Sequence, residues 1–413
     1  MSAVGDPFHR RVSMAEERVA NGIRSLKAVG SATPFDFSVM PVAEVATHET
    51  AWRALANSAA EPNPFFRPDF LLPIVDYLQP ADPRVLMVRK NGRLTGAFPL
   101  VRTTIGFGFS GRYDAVYFHD YGPVGTPLID RDMLEVTADA LYRAAHREIP
   151  RGIIVHLDAN GPVYNALCRA AEHHGLPPLI LDRFERAALD ATRDIDHFRQ
   201  SALTRKKRKE LARQYRRLSE LGPVRAHVHT DRGAIAGAFE RYIALEALGW
   251  KGRRETALGS DAARMRHASD IVNAFALSGR IRIDEVAVGN EVIASLISFV
   301  DGDRLFTWKI AYREDFARYS PGNQLILGLT GSLLDDPAIV AADSLAAPDH
   351  PMIDHLWRER LSVVQAYFPL RRGLHRPTAL MQADRVAYRT VRAAAKHLRN
   401  RLKRPKTRTT EGS

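Results

Sequence analysis

Tyr319-Ser320-Pro321-Gly322-Asn323-Gln324 stands between a strand-like run, RLFTWKIAY, and an apolar helical run, LILGLTGSLL. A helix start carries unpaired N–H groups and the positive end of the dipole, and Gly322 lacks the Cβ that would hold an anion away. Ser320, Pro321, Gly322, Asn323 and Gln324 therefore form a candidate cradle for a diphosphate. The same residues also make an ordinary helix start, with Ser320 capping and Pro321 at the first helical position. Lys309 closes the preceding strand. Period-two alternation puts Thr307, Lys309 and Ala311 on one face and Trp308, Ile310 and Tyr312 on the other. Lys309 would there meet an oxyanion or phosphate, or be a solvated edge charge.

Trp250, Lys251, Gly252 and Arg253 follow the helical run FERYIALEALGW. An indole beside two cations would wall a sugar or nucleotide, or the indole fills a core gap at a helix end. Glu246, one turn earlier, is the candidate proton acceptor or substrate anchor, or a partner for a nearby arginine. Asp343 ends another strand and is the candidate general base near the loop that carries Asp349, His350, Asp354 and His355. With no His-Glu-x-x-His spacing, no metal is expected. Cys168 is the single cysteine, so no intrachain disulfide forms, and its helical surroundings favour packing over nucleophilic chemistry. The absence of Gly-x-Ser-x-Gly likewise argues against a covalent acyl-enzyme. In His119-Asp120-Tyr121-Gly122-Pro123-Val124-Gly125, Asp120 is assigned to an acceptor cleft, with packing or a degenerate second phosphate site as the alternatives.

Stepping along the 413 residues, the elements that would position these groups occur twice. The segment RVLMVRKNGRLTGAFPLVRTT reads as a hairpin turning at Asn91-Gly92, and IRIDEVAVGNEVIASLISFVDGDRLFTWKIAY as three antiparallel strands. Each meander precedes a helix entered through a Gly-bearing turn, then a strand at 152–158 or 339–345, a helix and a terminal strand. The layout predicts an α+β protein of two mixed-sheet halves with flanking helices, the product of duplication. The expected divisions are a flexible leader over 1–33, a first half over 34–190, a second over 191–370 and a basic tail over 371–413. A basic helix, SALTRKKRKELARQYRRLSELG, opens the second half and stops at Gly222-Pro223.

The meander, the Tyr-Ser-Pro-Gly turn, Ala247-Leu-Gly-Trp-Lys-Gly-Arg253 and the Leu-Thr-Arg-Lys-Lys-Arg-Lys-Glu helix together resemble the GNAT-type acetyltransferases of bacterial cellulose and exopolysaccharide synthesis. The likeness runs from about Phe35 to Leu370 and is strongest from Ala202 to Asp343. That group is related in fold to the peptidyltransferases of peptidoglycan cross-bridges, which also carry two GNAT-like halves. In the wider GNAT superfamily a Gln/Arg-x-x-Gly-x-Gly/Ala loop cradles the pyrophosphate of acetyl-CoA; here Gly322 alone stands where a loop glycine is expected. The resemblance implies acetyl-CoA as acyl donor, direct transfer to an amine or hydroxyl of a sugar-related acceptor, and Tyr319 as proton donor to the departing thiolate. The alternatives are aminoacyl-tRNA-dependent peptidyl transfer and a degenerate GNAT protein that binds anionic polymer.

Charge is concentrated. Residues 371–413 hold thirteen Lys and Arg against Asp384 and Glu411, which is +11 of the net +12, and the body is nearly neutral. A second run packs eight cations into residues 205–217. With little aromatic interleaving, nucleic acid is not the expected partner of that run; solvent, an anionic polysaccharide precursor, a nucleotide-sugar or the 3′-phosphate of CoA is. The tail suits peripheral attraction to anionic membrane or polymer, at about 1 kcal/mol per cation near a surface, and shows no bulky apolar face. With no apolar run of spanning length and no secretory signal pattern, the chain is expected in the cytoplasm.

Overall fold

In this computed structural model the described residues are 34–80, 82–373 and 375–402. The leader over 1–33 and the end of the tail over 403–413 lie outside them. Alternating apolar residues build β1 (Phe35–Pro41), and continuous buried runs build β2 (Arg84–Lys90) and β3 (Arg93–Thr104). Asn91 and Gly92 between the last two both have positive φ (52° and 75°), as a type I′ turn requires. The first half continues with β4 (Arg112–Val116), the short β5 (Leu128–Ile129), β6 (Ile153–Asp158) and β7 (Leu179–Asp190). The second supplies β8 (Val224–His229), β9 (Ile281–Val288), β10 (Glu291–Asp301), β11 (Arg304–Tyr312), β12 (Ala341–Asp343) and β13 (Glu359–Phe368).

These strands do not form two separate sheets. They make one, in the order β1-β2-β3-β4-β6-β13-β7-β12-β11-β10-β9-β8, with β5 beside β3. The two sides of this order mirror one another: β4 runs parallel to β6 as β11 does to β12. At the centre the terminal strands are exchanged. β13, from the end of the chain, pairs with β6 of the first half, and β7 pairs with β12 of the second. The duplicated α+β layout is present, and the exchange fuses its halves.

Helices cover both faces. In the first half they are α1 (Val42–Val45), α2 (Glu49–Ser58), α3 (Pro68–Leu78), α4 (Leu134–Ala144) and α5 (Pro162–His173). The second half has α6 (Ile195–Ser201), α7 (Arg205–Ser219), α8 (Arg232–Leu248), α9 (Trp250–Arg253), α10 (Ala262–Leu277) and α11 (Pro321–Leu334); α12 (His375–Leu402) follows. The expected basic helix starts later, as α7, because Thr204 caps it by accepting the Lys207 N–H. The expected helix after Gly122 starts only at Leu134.

One core joins the halves on the face of α2, α3, α8 and α10, through a chain of rings from Phe65 and Phe70 to Phe299, Phe306 and Trp308. Each edge-on pair adds about 0.5–1.5 kcal/mol beyond burial. Beneath it Arg67 and Arg280 both donate to Asp301 Oδ1 at 3.0 Å. A second core lies under α7 and α11 on the opposite face. No helix among the described residues is long and apolar enough to cross a membrane.

Candidate functional site

β11 outruns its parallel neighbour. β12 pairs only Arg304, Leu305 and Phe306, and Thr307 Oγ1 donates to the Ser344 carbonyl at 2.6 Å just past the last pair. Beyond that point, among the described residues, 308–312 have no strand on the β12 side, so the sheet opens there. The equivalent opening in the first half is filled: the 117–125 segment returns across it and Gly125 bridges to His156. A Cβ on Gly125 would stand 2.8 Å from the His156 carbonyl oxygen, so this closure needs glycine.

A bulge sets what faces the opening. β10 pairs Ile297 with Lys309 but Ser298 with Thr307, leaving Trp308 as the extra residue. The strict alternation expected for this strand therefore fails, and Trp308 and Lys309 reach the same neighbour. Trp308 Nε1 donates to the Tyr121 carbonyl at 2.8 Å, while Lys309 Nζ lies 4.4 Å from the centre of the Tyr121 ring. Ile310, by contrast, belongs to the core under α11.

Around Lys309 the two halves contribute a half-buried cluster. His267 stacks on Tyr77 at 4.0 Å and meets Tyr121 edge-on at 5.5 Å. Arg264 Nε donates to the Tyr77 hydroxyl at 3.0 Å. His119 accepts the Tyr121 N–H on Nδ1. Burial, and next the charge of Lys251, push the Lys309 ammonium down to about 8. Among the described residues no carboxylate lies within ion-pair distance of it. A desolvated cation of this kind, resting on a ring face, fits an incoming oxyanion or phosphate.

Burial, with the Lys309 charge second, takes His119 down to about 4 and keeps its ring neutral. His267 is also lowered, by burial first, against the opposing bond to Ala263. With Nδ1–H assigned as donor to the Ala263 carbonyl, Nε2 is a buried lone pair with no hydrogen-bond partner. Tyr121 is pushed up to about 12 by burial and then by Tyr77.

The structure distributes the sequence-derived candidates unevenly. Lys309 is central, and Asp120, exposed, acts on its charge. Lys251 donates to Glu246 at 2.7 Å and to the Ile310 carbonyl at 3.1 Å, which ties α9 to β11. Arg253 pairs with Glu314 at 2.6 Å, and the same carboxylate takes the Trp250 N–H, leaving the Trp250 ring 44% exposed under Arg254. Gly252 is there for space, since a Cβ would stand 1.9 Å from the Ala247 carbonyl oxygen.

Two candidate carboxylates are already engaged. Glu246 is buried and accepts from the Tyr242 hydroxyl, Lys251 and the Leu258 N–H, so it anchors Lys251 and has no vacant oxygen for a substrate proton. Asp343 takes Arg186 Nη2 at 2.5 Å and the Leu345 N–H. Arg186 also donates to the Pro123 carbonyl, so Asp343 acts as a clamp between the halves and is poorly placed as a general base.

The helix-start turn differs from its expected form. Ser320 does not cap with its side chain; it adopts a left-handed conformation (φ 53°), and its carbonyl accepts the N–H groups of Asn323 and Gln324. Gln324 reaches back through Nε2 to the Leu211 carbonyl. Pro321 and Gly322 are buried, and a Cβ on Gly322 would stand 3.0 Å from Met352 Sδ. Tyr319 is buried in the core under α11, below the Arg318 guanidinium. The turn packs with Ile310 and the core under α11, whereas Lys309 reaches Tyr121, so the turn and Lys309 lie on opposite faces of the sheet. The loop histidine His350 accepts the Met352 N–H on Nδ1, which shapes this cover over Gly322.

Reading the sequence missed Tyr77, Arg264 and His267. A lone histidine and a lone tyrosine on apolar helix faces carry no spacing signal, and α3 and α10 meet only in the folded chain. A group with metal-capable donors occurs elsewhere, Asp139 with His173 and His174 on α4 and α5, where Arg143 also pairs with Asp139.

No curated protein matches the chain in sequence. Among solved structures, FemX aligns over 82% of this chain and 99% of its own at 9% identity and a TM-score of 0.51. The C-terminal domain of a putative lysylphosphatidylglycerol synthetase from Agrobacterium fabrum aligns over 82% and 95% at 14% identity and 0.50. At these identities the likeness is one of fold. The family model described as an acetyltransferase (GNAT) domain matches residues 205–339, about a third of the chain, and this stretch contains the bulged strand β11.

Proposed function

We propose that the protein transfers an acyl group from a thioester carrier, an acyl-CoA, to an amine or hydroxyl of a sugar-related acceptor held between the halves. The observation that carries this reading is that β12 stops pairing at Phe306 while β11 runs on to Tyr312, leaving Lys309 on a stretch of strand that β12 does not cover. The carrier's diphosphate lies against Gly322 once the flexible Met352 side chain turns aside, and its thioester threads the opening. The acceptor enters from the Tyr77, Tyr121 and Trp250 side and attacks the thioester carbonyl. Lys309 stabilises the oxyanion, His267 Nε2 takes the acceptor proton, and the C–S bond breaks as the thiolate leaves.

The test is a thermal shift with acetyl-CoA on three proteins. Wild type should be stabilised, Met352→Ala more so, and Gly322→Val not at all. Unchanged melting of wild type at saturating acetyl-CoA, or a retained shift in Gly322→Val, defeats the CoA reading.

One observation favours a second reading, an aminoacyl-tRNA donor. Seven of the eight cations on α7 are exposed, and α7 borders a groove of about 650 Å³ against α11. Under that reading charged tRNA, and not acetyl-CoA, raises the melting temperature, with a steep loss on adding salt.

A further inference from the structure

The first half's second sheet face is covered differently from the rest of the molecule. Its small core, with Tyr113, Ile154 and Tyr367, is closed by the start of α12, whose Met381 is fully buried. The basic tail is therefore docked at its beginning and not loosely attached. Asp384 fixes the contact: its carboxylate accepts the N–H groups of Phe107 (2.7 Å) and Phe109 (2.8 Å). Gly106 makes room for it, since with φ +62° a Cβ there would stand 2.5 Å from Asp384 Oδ1.

The consequence is a loop whose backbone is held inward and whose two rings are held outward. Phe109 is 72% exposed and Phe107 47%; they lie 5.7 Å apart, and Phe107 meets Tyr388 of α12 edge-on at 5.3 Å. The bonds to Asp384 fix the backbone at both residues. Exposed aromatic side chains fixed in place in this way mark a surface that meets an apolar phase.

α12 adds the matching pattern. From residue 386 to 395 every residue is exposed. Leu380, Ala387, Val391 and Ala394 recur at helical spacing on one face, and Arg385, Arg389 and Arg392 gather on another beside a groove of about 870 Å³, where Asp182 pairs with Arg385 at 3.2 Å and Arg389 at 3.6 Å and offsets one of the three charges. This stripe of small and medium side chains is shallow, and the bulky apolar part that an interfacial surface needs comes from the Phe107 and Phe109 rings beside it.

We propose that the Phe107/Phe109 loop and α12 form a docking surface for an anionic lipid bilayer. The two rings enter the acyl boundary and the arginines meet headgroup phosphates. A soluble polyanion is disfavoured as occupant, because charge alone would satisfy it and the rings and stripe would remain in water. The sequence carries the charge but not this apolar component, because the aromatics come from a loop more than 270 residues away from the helix they join.

The test is co-sedimentation of the full-length chain with vesicles of phosphatidylcholine alone and of phosphatidylcholine mixed with phosphatidylglycerol, at low and high salt. The wild type should pellet with the anionic vesicles and bind neutral ones about tenfold less or weaker still. Phe107→Ser with Phe109→Ser should lower anionic binding about tenfold at unchanged net charge, and Arg389→Glu with Arg392→Glu should abolish it. Both pairs are exposed, so melting temperatures serve as the folding control. No binding by the wild type overturns the proposal. Wild-type binding by the double serine variant, or equal competition of wild type and variant by soluble polyphosphate, also overturns it in favour of a general polyanion surface.

Discussion

Lys309 concentrates the cost and the use of this site in one side chain. Its pKa in the folded chain, about 8, lies below the 10.5 of a free lysine. Between those values the unfolded chain binds more protons than the folded one, so stability should rise with pH across that window and the buried cation should weaken the fold below it. The full shift corresponds to at most about 3 kcal/mol. Lys309→Met is expected to raise the melting temperature at pH 7 and to flatten its rise between pH 8 and 10, read by calorimetry across pH. In turnover the sign is opposite: if the ammonium stabilises the oxyanion, kcat should decline as pH climbs past 8, and Lys309→Gln should lower it about a hundredfold. A kcat that increases through pH 8 would identify Lys309 as a base instead.

Among the elements, the bulge in β11 and the clamp on β12 decide the geometry. Asp343 and Arg186 are both buried, so truncating one leaves the other as an unpaired charge. Asp343→Ala should cost about 3–5 kcal/mol in urea denaturation, and the double change Arg186→Met with Asp343→Ala should cost less than the single one. If the two variants lose equal stability, the pair does not act as a clamp. Gly252→Ala tests the α9 turn: its Cβ has no space beside Ala247, so the turn must open and Lys251 must leave Glu246. Loss of transfer with only local loss of protection in hydrogen exchange is the expected result.

At the scale of the whole molecule, the strand exchange makes the halves interdependent. A piece covering 34–190 lacks β13 and presents bare edges on β6 and β7, and a piece covering 191–370 has lost the neighbour of β12. Expressed separately, each should aggregate, because unpaired edges seek other chains; expressed together, they should co-purify as one folded complex. A monomeric, cooperatively melting 34–190 piece would show that the exchange is dispensable. The aromatic chain from Phe65 to Trp308 leads to the same expectation from the core side, since each half alone exposes part of it.

The residue pattern alone settled what depends on local order. Strand-like apolar runs marked the meanders, Asn91-Gly92 marked its turn through a positive-φ preference, and Pro321 marked the start of α11, all of which involve neighbours in sequence. It also carried the duplication, because the order of elements repeats. What it left open depends on contacts between distant segments. Whether a carboxylate is vacant, as for Glu246 and Asp343, depends on which donors arrive from elsewhere. One bulge moved Trp308 and Lys309 to a common side, and no propensity announces a bulge. Tyr77, Tyr121 and His267 lie on three separate segments, and only packing of the halves makes them one cluster. Spacing along a chain encodes faces of helices and strands; the assembly of those faces is decided by the burial of a shared core and the pairing of exchanged strands.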